Sequence, residues 1–311
     1  MQTISFENVA DQWLTLKKMQ VKPSTFVKYQ TIWEVRLKPS FGQYQLVEIS
    51  EEAVMTFFLD QMEKTSGSLL QTMRYLLKAM LGYARHKYGQ PTISFNYIKL
   101  PPAKMRTSTL SHDEEVRLDE YCFAHCNDTS IGILLGLYGG LRIGEICGLK
   151  WADIDLEEGL IYVQRTIQRI SDTSSTKKTQ VVILDPKTPS SQRIVPLTDF
   201  MNQFLKKYQA SQTDVVADHF LLSGSDVPLE PRTLQYRYHR ICKKLDIQLT
   251  FHGLRHSFAT RCIEQQVDPK SLSEMLGHAD VTTTLKRYVH SSLSFKKEQM
   301  AKIKSAVLFA E

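Results

Sequence analysis

Apolar residues recur at helical spacing through the first third of the chain. Phe6, Val9, Ala10, Trp13 and Leu14 share one face of a helix that Ser5 can cap. A second helix is predicted from Ser24, after Pro23, to a point before Pro39 and Gly42, because proline and glycine interrupt helical hydrogen bonding. Ser50 opens a third, with Val54, Phe57 and Phe58 inward. A fourth runs from Ser68 to Lys87, with Leu70, Met73, Leu77, Met80, Leu81 and Ala84 on its buried face. Residues 1–98 therefore read as a helical domain.

The pattern then changes. Residues 99–109 hold paired prolines, three basic residues and no periodicity, which reads as a linker. A capping box, Ser111 with Glu114, starts the next helix. Helical segments flank two β-branched stretches, Leu160 to Ile167 and Val181 to Leu184, and Ile194-Val195 adds a third short strand. Ser171 to Thr179 is polar and reads as an exposed loop; from Thr198 onward the chain is again mostly helical. The expected class is α+β, mainly helical, with a small antiparallel sheet confined to a mixed second domain over residues 110–290. Residues 291–311 form a tail in which Met300, Ile303 and Val307 have helical spacing, an apolar stripe suited to another protomer.

Charge sharpens this division. The 311 residues carry a net charge of +6, and residues 1–107 hold 14 Lys and Arg against 8 Asp and Glu, so the whole excess lies in the first third. No acidic residue occurs between Glu63 and Asp113, whereas Lys64, Arg74, Lys78, Arg85, Lys87, Lys99, Lys104 and Arg106 do. The charged residues of the fourth helix are thus all basic, which suits DNA phosphates. The five cysteines show no C-x-x-C spacing and read as reduced, buried thiols of a cytoplasmic protein, Cys122 and Cys126 being helix neighbours. The start of the chain lacks the pattern of a signal peptide, and the most apolar run, Ile131 to Leu141, is too short to span a bilayer, so no membrane partner is expected.

Candidate chemistry lies in the second half. Gly139-Gly140-Leu141-Arg142-Ile143-Gly144-Glu145 turns sharply and delivers Arg142 to a helix start, with Glu145 one turn on to hold a guanidinium or cap the helix. His252 and Arg255 share a helix face within His252-Gly253-Leu254-Arg255-His256-Ser257-Phe258-Ala259-Thr260. His252 and His256 have the spacing of zinc ligands, but Gly253 stands where a metalloprotease carries glutamate, so no metal is assigned. Leu276-Gly277-His278 puts a histidine just beyond a helix end, and Tyr288 follows ten residues later. Arg142, Lys187, His252, Arg255 and His278 can hold and protonate one phosphate without metal or other cofactor, and Tyr288 can attack it.

These blocks, in this order, resemble those of the tyrosine recombinases, the phage-integrase family. Asp185 through Lys187 and Arg193 to Pro196 resembles the β-hairpin that carries the family's catalytic lysine, which here is Lys187, with Lys177 and Lys178 nearby. Pro23-Ser24-Thr25 through Tyr29 to Phe41-Gly42 resembles the family's helical, SAM-like core-binding domain. The resemblance implies that Tyr288 forms a 3′-phosphotyrosyl bond, that Arg142 and Arg255 clamp the non-bridging oxygens and that His278 adds a donor. It further implies that Lys187 protonates the leaving 5′-oxygen and that His252 helps take the tyrosine proton. The implied partners are double-stranded DNA sites, a homo-oligomer that is tetrameric in synapsis, and an accessory directionality factor. Integration and excision of a mobile element is the expected role; Xer-type dimer resolution, a nicking-closing topoisomerase and a non-catalytic DNA-binding regulator are the alternatives.

Overall fold

The computed structural model describes residues 4–102, 109–171, 179–184, 192–278, 280–282, 284 and 300. Two compact units divide the chain: Met1–Arg106 with Ile170–Gln180, and Thr107–Arg169 with Val181–Glu311.

The N-terminal unit is helical: α1 (Phe6–Gln20), α2 (Pro23–Ile32), a π-helical turn (Trp33–Leu37), α3 (Lys38–Phe41), α4 (Glu51–Lys64) and α5 (Gly67–Tyr88). Serine caps start α1 and α4, with Ser5 Oγ accepting from Asn8 N at 3.4 Å and Ser50 Oγ from Ala53 N at 3.1 Å. α2 ends at Ile32, before Pro39 as anticipated, but the helical backbone resumes and Pro39 lies inside α3. The Lys38 amide bonds five residues back to the Trp33 carbonyl, and this wide turn begins a new helix with proline in its first turn, where no N–H is required. The core is aromatic, with Phe6 edge-on to Trp33 at 5.7 Å and Phe41 to Phe57 at 5.0 Å between centroids. On α5, Leu76 is fully buried beside the anticipated Leu70, Met73, Leu77, Met80 and Ala84, whereas Leu81 is half-buried.

In the C-terminal unit α7 (Asp128–Tyr138) is the central helix, packed against α6 (His112–Ala124), α8 (Ile143–Gly148), α9 (Asp199–Ala210), α10 (Pro231–Lys244) and α11 (Phe251–Glu264). Residues 129–137 are all buried, which explains why the helix is apolar all round. The Ser111–Glu114 capping box starts α6 as expected. That helix ends at Ala124, so Cys126 falls in the turn before α7 and is not a helix neighbour of Cys122.

The strands differ from the sequence reading. Leu160 to Ile167 is broken into β2 (Leu160–Val163) and β3 (Thr166–Ser171), and β1 (Ile154–Asp155) was not anticipated. The break falls at Gln164-Arg165, where the Arg165 side chain turns back to the Gly148 carbonyl and to Asp153. One sheet has the order β1-β2-β5, with β5 (Arg193–Pro196) antiparallel to β2 and Tyr162 opposite Ile194. β4 (Thr179–Leu184) pairs instead with β3. The described strands on either side of residues 185–191, β4 and β5, belong to different sheets, and the segment expected to carry Lys187 lies outside the described residues. Lys177, Lys178, Lys187 and Tyr288 lie outside the described residues, as does the tail apart from Met300. Among the described residues no helix is long and apolar enough to cross a membrane.

Candidate active site

Each described site residue is placed by a helix end or a helix start. Gly140, with φ of +63°, ends the excursion after α7 in a conformation that favours glycine, and a Cβ there would stand 2.4 Å from the Phe258 ring. Arg142 follows as the N-cap of α8. Its backbone amide donates to Glu145 Oε2 at 2.9 Å and its guanidinium to Glu145 Oε1 at 2.6 Å, so Glu145 both caps the helix and holds the arginine. His252 and Arg255 lie in the first turns of α11, His252 exposed and Arg255 only 2% exposed. α12 (Pro269–Leu276) stops at Gly277, whose φ of +63° turns the chain and projects His278.

Three of the six residues meet at that stop. Arg142 Nη2 donates to the Gly277 carbonyl at 3.2 Å. Arg255 Nη2 donates to the adjacent Leu276 carbonyl at 2.5 Å and lies 3.1 Å from His278 Nε2, while Arg255 Nη1 donates to the Gly140 carbonyl at 2.7 Å. A guanidinium only donates, so His278 Nε2 accepts and the ring proton sits on Nδ1, 2.8 Å from Thr284 Oγ1. Two fixed positive charges thus converge on one turn through carbonyls that α12 leaves without helical partners. His252 and Arg142 line an open cleft of about 440 Å³ together with Thr166, Gln168 and Arg169.

Glu145 is the electrostatic hinge of the arrangement. Its side chain is 7% exposed and also takes both terminal nitrogens of Arg193, at 3.1 and 2.8 Å. Burial alone would raise its pKa; the hydrogen bonds and charge of Arg193, with the charge of Arg142, outweigh that and hold it at about 2. Arg193 Nε donates to the Met275 carbonyl at 2.5 Å, so this arginine bridges β5, α8 and the end of α12. Sequence reasoning noted Arg193 only as part of the lysine segment and missed Thr284 altogether. A charged residue at the start of a short β-branched strand was the available signal for Arg193; nothing in the local spacing singled out Thr284.

The sequence pattern of the phage integrase family matches residues 108–294, and that of the phage integrase N-terminal SAM-like domain matches residues 5–62. A tyrosine recombinase XerC-like protein of Caldanaerobacter subterraneus subsp. tengcongensis is 26% identical over 314 aligned positions, covering 93% of this chain and 80% of that one. Tyrosine recombinase XerA of Thermococcus onnurineus is 32% identical over 71% of each chain. The fold is that of the Tn1549 transposon integrase solved in complex with transposon right end DNA, with a TM-score of 0.80 and 20% identity over 96% of this chain and 99% of that one. With two glycine-ended helices gathering paired arginines and a histidine, and with relatives matched over most of both chains, the protein belongs to the phage integrase family and is a tyrosine recombinase.

Proposed function

We propose that this chain cleaves and rejoins DNA at specific sites through a covalent 3′-phosphotyrosyl intermediate at Tyr288. The observation that carries the reading is the convergence of Arg142 and Arg255 on the Leu276–Gly277–His278 turn. Both guanidiniums are anchored before any substrate arrives, so little reorganisation is needed when charge builds on a bound phosphate. Tyr288 Oη attacks phosphorus and the bond to the 5′-oxygen breaks. Lys187 gives the leaving oxygen its proton, and His252 helps remove the phenol proton, which a free tyrosine of pKa about 10 retains at neutral pH. His278 adds a donor to the clamp once Nε2 leaves Arg255 and takes up a proton, so that the ring can donate to a non-bridging oxygen. The phosphotyrosyl bond retains the energy of the phosphodiester, so religation to a second strand needs no nucleotide cofactor.

Integration and excision of a mobile element is the role we favour. Its support is the shared architecture with a transposon integrase along almost the whole of both chains. The XerC-like and XerA relatives favour dimer resolution as the second reading. Either role places the protein with chromosomal or plasmid DNA in the cytoplasm, as a homo-oligomer that reaches a tetramer on two duplexes, with the tail joining protomers; an accessory directionality factor belongs to the integration reading. The test is a half-site duplex from DNA flanking the gene, nicked near the cleavage point so that religation fails. A covalent adduct on a denaturing gel with the wild-type protein and none with Tyr288→Phe is expected. An adduct that survives in Tyr288→Phe overturns the nucleophile, and DNA binding without an adduct in either favours a non-catalytic regulator.

A further inference from the structure

A second arginine on α11, Arg261, stands six residues beyond Arg255 and away from the cleft lined by Arg142 and His252. Arg261 Nη2 donates to the Leu137 carbonyl at 2.7 Å, and its guanidinium lies over the Tyr138 ring at 4.3 Å. It also pairs with Glu115 of α6. The Leu137 carbonyl is among the last four of α7, which have no partner within the helix. The Tyr138 hydroxyl donates to Asp119 of α6, with Glu115 Oε1 at 3.3 Å. Sequence spacing suggested no role for Glu115, Asp119, Tyr138 or Arg261.

Three residues after Leu137, the Gly140 carbonyl takes the Nη1 donor of Arg255. The turn from Leu137 to Gly140 is thus fastened to α11 at both ends by guanidinium–carbonyl bonds, with Arg261 at the first and Arg255 at the second. The fit between is close: a Cβ on Gly136 would stand 3.4 Å from Leu254 and Phe251, and one on Gly140 would collide with Phe258. A turn packed this tightly shifts as a unit, so loosening the first fastening displaces the carbonyl that seats Arg255.

We infer that Arg261, backed by Glu115 and Tyr138, is a positioning residue that sets the place of Arg255 through the Leu137–Gly140 turn. This inference rests on the phosphotyrosyl reading above. Its test compares full-length wild type, Arg261→Gln, Arg261→Lys and Leu118→Ala; Leu118 is fully buried on α6 and serves as a purely structural control. DNA affinity by gel shift, thermal midpoint and the single-turnover rate of adduct formation at saturating half-site are measured for each. Arg261→Gln is expected to lower the rate about 10- to 100-fold at unchanged affinity, since sub-ångström misplacement of a catalytic group has effects of that order. Arg261→Lys keeps the charge beside Glu115 but not the forked reach to the Leu137 carbonyl, so it restores the thermal midpoint and not the rate. Leu118→Ala lowers the midpoint and not the rate. A rate within about twofold of wild type in Arg261→Gln, or recovery of both quantities in Arg261→Lys, overturns the inference. No adduct from the wild type overturns the phosphotyrosyl reading and this inference together.

Discussion

In the N-terminal unit the described buried side chains are apolar: Phe6, Trp33, Leu37, Phe41, Phe58 and the inward face of α5 interlock with their charged neighbours left outside. In the C-terminal unit the core closes around charge. Every buried polar or charged side chain among the described residues lies between Thr129 and Thr284, including Glu145, Asp153, Arg255 and His256. Burying charge is costly unless each group is matched, and here the matching partners come from different elements. The N-terminal unit leaves its charged residues on the surface around an apolar core. The C-terminal unit accepts electrostatic cost to fix guanidiniums at the end of α12.

The strongest way to break this comparison is to unpair the charges. Glu145→Gln leaves the buried Arg193 without its carboxylate and is expected to cost about 3–5 kcal/mol in urea unfolding. A loss below 1 kcal/mol would show that Arg193 finds other compensation. Next comes Leu76→Ala in the apolar core of the other unit, where the cavity is expected to cost about 2–5 kcal/mol. That loss should leave the single-turnover adduct rate of the bound complex unchanged, whereas Glu145→Gln should lower it through Arg142.

The pH dependence of stability separates buried Glu145 from half-buried Asp119. Glu145, held at about 2, contributes stability that is complete above its ordinary value of 4.5 and is lost as pH falls toward 2. Asp119 has the opposite sign: burial raises it from 3.8 to about 6, with the Tyr138 hydrogen bond opposing and the Glu115 charge adding. The folded state then binds the extra proton, so stability present below 3.8 is lost as pH rises through about 6. Asp119→Asn should therefore flatten the decline of the urea midpoint between these values, and an unaltered decline would remove Asp119 as its source. The smallest effect belongs to the basic surface of α5. Lys78→Ala and Arg85→Ala, both exposed, should leave stability unchanged and reduce the slope of log affinity against log salt by about 1 each, measured by fluorescence anisotropy.

The helices of the first unit were legible because each buries one face against its neighbours. Ser5, Ser50 and Ser111 marked helix starts for a local reason, since a hydroxyl two or three residues before an unpartnered N–H needs nothing from the rest of the fold. What Pro39 did not reveal is that a π turn, with Trp33 and Leu37 both fully buried, restarts the helix with proline in its first turn. The strands misled because two sheets were needed where one seemed sufficient, and pairing is chosen between segments far apart in the chain.

By itself the sequence determined the helical first unit, the mixed second one, the order of the arginine, histidine and tyrosine blocks, and the family they belong to. It also placed Arg142 at a helix start and His278 beyond a helix end, because glycines at Gly140 and Gly277 set those turns locally. Only the tertiary structure decided that Arg142 and Arg255 share the last turn of α12, that Glu145 is held ionised by Arg193 from 48 positions away, and that Arg261 fastens the end of α7. A guanidinium reaches whatever carbonyl or carboxylate the packed helices bring within about 3 Å, and that proximity is a property of the fold and not of spacing along the chain.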